Sequence, residues 1–165
     1  DPNGEAEGLL ERGIKVLPLM RGAGGRDIHP SSTHGVLVRI YPDGSVTQPE
    51  NPVSDPPNYS GIQKVVVAVR DASLACDAYA KGLGLSADPP QVIPDRGVVS
   101  SIVRPPKGGI IELLSPVDTS KETGAEVEEF LGSKGEGICA LVLAAEGDVA
   151  DRDITVFGTR ILISE

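Results

Sequence analysis

The side chains best suited to chemistry are few in this sequence: two histidines, His29 and His34, and two cysteines, Cys76 and Cys139. The histidines lie five residues apart and flank a Pro-Ser-Ser turn, so they do not share a helix face as paired metal ligands do, and a structural role fits them better. Neither cysteine belongs to a CxxC or a Cys/His cluster, which argues against a structural zinc site. Both read as reduced thiols of a cytoplasmic protein. The glycine clusters Gly22-Ala23-Gly24-Gly25 and Gly82-Leu83-Gly84 lack the Lys-Ser/Thr of a phosphate loop and read as turns. The acidic stretch Glu126 to Glu129 reads as the solvated face of a helix.

The elements that would position any site alternate along the chain. Residues 5–13 form a short helix stopped at Gly13. Residues 14–20 suit a strand that Pro18 confines to an edge or bulge. His34 to Tyr41 alternates as a strand, closed by Pro42-Asp43-Gly44. A Pro-rich linker occupies 46–60. Ile62 to Val69 is a β-branched strand, and a helix over 71–82 follows it, capped by Asp71 or Ser73 and stopped by Gly82 and Gly84. Residues 91–93, 98–103 and 109–114 read as three strands between Pro/Gly turns. A helix over 121–131, a strand over 135–145 and one or two strands around Gly158 complete the chain.

Composition bounds what these elements can build. With 39 % hydrophobic residues and only 3 % aromatic, the core rests on Val, Ile, Leu and Ala. Twenty Gly and fourteen Pro imply short elements and many turns. A net charge of −9 disfavours a nucleic-acid partner. No apolar stretch approaches the roughly 20 residues of a membrane-spanning helix. No basic-then-apolar signal segment opens the chain, and its start at Asp1-Pro2 is compatible with a trimmed terminus.

Several of these segments resemble the vicinal-oxygen-chelate (glyoxalase-like) superfamily. Ile62 to Asp71, IQKVVVAVRD, is similar to the opening strand I-x-H-V-x-I-A-V-x-D. Ala78-Tyr79 with Gly82-Leu83-Gly84-Leu85 resembles the helix ending F-Y-x-x-x-L-G-L, and Gly109 to Pro116 resembles the I-E-L-L-x-P strand. Phe130-Leu131 with Gly135-Glu136-Gly137-Ile138 is similar to a segment of the methylmalonyl-CoA epimerase branch. Leu10 to Gly13 with Ile28 to Ile40 resembles the segment that ordinarily ends the second module.

The resemblance implies an α+β fold of paired βαβββ modules forming an open, curved mixed sheet, here in circularly permuted order or as a fragment of a longer tandem protein. Residues 1–45 would supply the second module's helix and strands, 46–60 the linker and 61–118 the first module. Residues 119–165 would supply a connecting helix, the completing strand of the second module and C-terminal strands.

In that superfamily four inward side chains, two His and two carboxylates or amides, hold a divalent metal that stabilises an enediolate-like anion. Those positions fall on Lys64, Glu112, Ala140 with Cys139 just before it, and Arg39, so only Glu112 is kept. Lys64 and Arg39 would set positive charge where a dication sits, which implies no metal. Glu112 is then a candidate catalytic base or a strand carboxylate paired with Arg39 or Lys64. Lys64, Arg39 and Cys139 are candidate ligand contacts. Their alternatives are a snorkelling strand lysine, an exposed strand arginine and a small buried thiol.

Three functions follow from the resemblance. The first is a metal-free small-molecule-binding protein with a degenerate metal site, similar to family members that sequester antibiotics. The second is an isomerase or lyase, epimerase-like or glyoxalase-like, using Mn, Co, Ni or Zn. The third is a structural module completing a dimeric assembly, and a homodimer is expected.

Overall fold

The run Val65 to Val69 is apolar at every position because its strand is covered on both faces. Val67 and Val69 pack under one helix with Leu113, Val103 and Tyr79, whereas Val66 and Ala68 pack under another with Leu114, Ala140 and Val142. The computed structural model describes residues 1–19, 24–42, 44–45, 58–146, 152–156 and 159–164, with the backbone alone at 58–60, 146, 156 and 164. The expected linker over 46–60 lies almost wholly outside these residues, as do parts of the turns at 22–25 and 42–44.

The elements, in chain order, are α1 (Pro2–Glu11), β1 (Arg26–Ile28), β2 (Val38–Ile40), β3 (Asn58–Ala68), α2 (Ala72–Asp77), β4 (Ser86–Ala87), β5 (Gln91–Ile93), β6 (Val98–Arg104), β7 (Ile110–Pro116), α3 (Glu122–Lys134), β8 (Gly137–Glu146), β9 (Arg152–Val156) and β10 (Thr159–Ser164). Eight strands form one sheet in the order β4, β6, β7, β3, β8, β10, β9, with β5 also paired to β6. β3 runs parallel to β7, and β8 runs parallel to β10. The two halves meet antiparallel at β3–β8. No described helix is long and apolar enough to cross a membrane.

The N-terminal strands behave differently from the sequence expectation. β1 and β2 pair with each other, Asp27 opposite Arg39, in a sheet of their own. The strand that continues the sheet beyond β8 is instead β10, with β9 outside it. Among the described residues 14–19 the β-pairing is a single bridge from Val16 to Ile28. This unit has a small core of its own, in which Leu9, Ile14 and Ile28 are buried together against Leu83. Gly82 lies close against this core: a Cβ there would stand 2.7 Å from Ile14 Cδ1, so the tip of that side chain would have to shift.

α2 starts where Asp71 Oδ1 accepts from the N–H groups of Ser73 and Leu74, the capping expected from sequence. It then widens into a π-turn over Ala78–Gly82 that carries Tyr79 into the core. The Tyr79 hydroxyl donates to the Thr33 carbonyl at 3.0 Å. α3 lies on the opposite face of the sheet and buries Val127 and Leu131. Each such fully buried aliphatic side chain contributes about 1.5–3 kcal/mol.

Glu136, between α3 and β8, ties three segments together. Its carboxylate accepts from the Arg70 N–H at 2.8 Å and pairs with His34 Nδ1 at 2.9 Å. Gly35 lies against this junction at φ +83°, and a Cβ there would stand 1.9 Å from the Glu136 carbonyl oxygen. His29 Nδ1 accepts from the Ser31 N–H at the start of the Pro30–Ser32 turn. Both histidines thus hold chain geometry.

Candidate ligand site

Strand alternation decides which side chains share the α3 side of the sheet. Val66 lies opposite Glu112 across the parallel β3–β7 pair, and Ile102 lies opposite Glu112 across β6–β7. Lys64, two residues before Val66, therefore reaches the same face, and so does Ser100, two residues before Ile102. Glu112 is buried, with 3 % of its surface exposed. Its Oε2 accepts from Lys64 Nζ at 2.9 Å, and its Oε1 accepts from Arg96 Nη1 at 2.7 Å and Ser100 Oγ at 3.1 Å. Burial, the largest single influence, pushes the carboxyl's pKa up. The hydrogen bonds and charges of Lys64 and Arg96 together outweigh burial and hold it below the usual carboxylate range.

Beside this cluster lies a pocket of about 250 Å³ between α3 and the sheet. Val66, Leu114, Ala140 and Leu162 form its apolar floor, and Val127 and Phe130 of α3 cover it. Arg96 and Arg160 stand in its walls, with Glu122, Thr123 and Glu126 from the first turns of α3. The arginines arrive already neutralised: Arg96 by Glu112, and Arg160 by Asp153 at 2.6 Å and by Glu126.

Cys139 completes the wall through an irregularity of β8. Val66 pairs with Ala140 while Val67 pairs with Ile138, so Cys139 is the extra residue of a β-bulge. Its Sγ donates to the Val66 carbonyl at 3.5 Å. Burial pushes this thiol up to about 11, so it stays protonated at neutral pH.

The structure brings Glu112 and Lys64 together and sets Cys139 in the adjoining pocket. It does not bring Arg39 to them. The Arg39 guanidinium is gripped by both oxygens of Asp27 on the separate β1–β2 sheet and lies 5.8 Å from the Tyr41 ring centroid. The second cation on Glu112 is Arg96, which the sequence reading missed. It sits in the Pro94–Gly97 turn, where periodicity carries no information. Ser100 had a weak signal, as a hydroxyl between Val98 and Ile102 on a face that is otherwise apolar.

The superfamily's divalent metal can be tested against these residues. At the corresponding positions stand an ammonium, one carboxylate and the methyl of Ala140. Both carboxylate oxygens already accept from cationic donors. No group of three or more His, Cys, Asp or Glu converges anywhere among the described residues. This donor set does not fit a divalent cation.

Two half-sheets, each with a parallel inner pair and antiparallel outer strands, joined antiparallel at the middle, make up the glyoxalase-like, vicinal-oxygen-chelate fold. Among solved structures, the methylmalonyl-CoA epimerase from Mycobacterium tuberculosis matches with a TM-score of 0.50 and 19 % identity, over 64 % of this chain and 87 % of that one. A Streptomyces coelicolor methylmalonyl-CoA epimerase in complex with 2-nitronate-propionyl-CoA matches with a TM-score of 0.50 and 13 % identity, over 64 % and 96 % of the respective chains. At such identities the likeness establishes the fold. The sequence matches no protein-family profile and no curated protein.

Proposed function

We propose that this protein binds a small organic molecule in the pocket beside Glu112 and does so without a metal ion. The observation that supports this is the occupancy of the Glu112 carboxylate, where Lys64, Arg96 and Ser100 supply the hydrogen bonds a cation would otherwise satisfy. Glu112 then organises the site and does not move protons. Its pKa is depressed and both its oxygens are engaged, which is the opposite of the poise a general base requires. By holding Arg96, it fixes one wall of the pocket. Cys139 contributes shape and a polarisable contact.

The test is elemental analysis of protein purified without chelators, then exposed to Mn, Co, Ni or Zn and dialysed, followed by calorimetric titration with a set of small organic fragments. The proposal expects substoichiometric metal and saturable fragment binding that is lost when the pocket floor is filled by Ala140→Phe. A retained equivalent of metal overturns it, as does fragment binding indifferent to Ala140→Phe.

A further inference from the structure

The charges around the pocket point to the kind of molecule it accepts. Two arginines in a pocket wall would ordinarily suggest an anionic ligand. Here neither is available. Arg96 is committed to Glu112, which Lys64 also holds, and Arg160 is committed to Asp153 and Glu126. A carboxylate or phosphate entering the pocket would have to displace a resident carboxylate from its arginine, exchanging one ion pair for another with no gain in charge compensation.

Counted over the cluster, Lys64, Arg96 and Arg160 face Glu112, Glu126 and Asp153, three charges of each sign. That leaves Glu122. It lines the pocket in the first turn of α3, is exposed, and has no hydrogen-bond or ion-pair partner among the described residues. The helix dipole favours an acidic residue there, which explains why a glutamate is tolerated but supplies no counter-charge. The Phe130 ring adds an aromatic wall to an otherwise aliphatic floor. At about 250 Å³ the pocket falls just below the roughly 300–1,000 Å³ typical of drug-sized sites.

We infer that the pocket takes a small amine, a cationic head on an apolar body, with the head at Glu122 and the body over the Val66–Leu114–Ala140 floor beside Phe130. This deepens the small-molecule reading proposed above and rests on it. The chain's net charge of −9 acts in the same direction, drawing cations toward the surface from a distance.

The experiment compares benzylamine, benzyl alcohol and benzoate, which share a ring and differ in the charge of the head, by calorimetry at neutral pH and low salt. The amine is expected to bind at least about tenfold more tightly than benzoate, with the alcohol between them, because like charges set side by side are disfavoured. Glu122→Gln is expected to weaken benzylamine roughly two- to fivefold, the size of one exposed ion pair, and to leave benzyl alcohol unchanged. Glu128→Gln, on an exposed part of α3 outside the pocket, is expected to change neither. Equal or tighter binding of benzoate overturns the inference while leaving the small-molecule reading in place. So does benzylamine binding indifferent to Glu122→Gln. Failure of all three probes to bind overturns both.

Discussion

Replacing Lys64 and Arg96 together by methionine tests whether those two cations keep Glu112 ionised inside the sheet. In the wild-type chain burial alone would raise the carboxyl, and the two cations more than reverse that. A group whose folded pKa lies below its unfolded value, about 4.3 for glutamate, contributes stability that is present above the unfolded pKa and lost as pH falls through the folded one. In the double variant burial remains and only Ser100 still donates. The folded pKa then lies above the unfolded value, and the sign reverses: stability is highest at acid pH and declines as pH rises through the folded pKa. Breaking a buried pair by removing one side costs about 3–5 kcal/mol. The side chains of Lys64 and Arg96 are 28 % and 39 % exposed, so solvent already screens them, and about 2–4 kcal/mol at pH 7 is the expected loss. For a domain of this size that is a fall in Tm of roughly 5–15 °C. Urea unfolding from pH 4 to 8 measures it, with Glu112→Gln introduced into both backgrounds. The double variant should lose stability as pH rises above the unfolded value of about 4.3, and Glu112→Gln should restore most of the loss. A pH profile parallel to wild type, or no restoration by Glu112→Gln, refutes the reasoning.

Two further outcomes follow from the packing. Gly35→Ala introduces a Cβ into the Glu136 backbone at a positive φ, so it should loosen the N-terminal unit by more than about 1 kcal/mol, read as faster proteolytic cleavage within residues 1–45 while the sheet's amide protection persists. Cys139 should resist iodoacetamide at pH 7.5 in a Cys76→Ser background and react progressively faster toward pH 11; rapid alkylation at neutral pH would contradict its burial.

Much of the first half-sheet was legible because local signals agreed there. The β-branched run of β3, the Asp71 cap and the Gly/Pro turns around β6 and β7 each point to the element found; the boundaries of β6 and β7 shift by only a residue or two, whereas β3 begins at Asn58, four residues before the expected start. Glu112 and Lys64 were legible as a pair only through the positions that the superfamily resemblance implies; strand alternation on adjacent strands is the physical reason they meet. Arg39 was not, because a three-residue strand has no periodicity to reveal its partner, and its pairing with Asp27 is settled by the small core of Leu9, Ile14 and Ile28. Arg96 was missed because a turn side chain is aimed by backbone geometry that leaves no pattern. The availability of charge was also hidden: Arg96 and Arg160 look like anion receptors until their carboxylate partners are placed.

The antiparallel seam at β3–β8 has a kinetic consequence. Lys64 meets Glu112 across 48 residues of chain, but Cys139 meets Val66 across 73. Closing the longer loop costs more entropy before any contact repays it, and sheets built from distant pairings fold on the millisecond-to-second scale. The segment from β3 to β7 can therefore collapse first around Val67, Leu113 and Tyr79, with the edge of β3 exposed until β8 docks along it. During that interval the Val65 to Val69 run is an apolar strand with one edge unpaired, and the chain is at its most vulnerable to aggregation while it waits for its own second half.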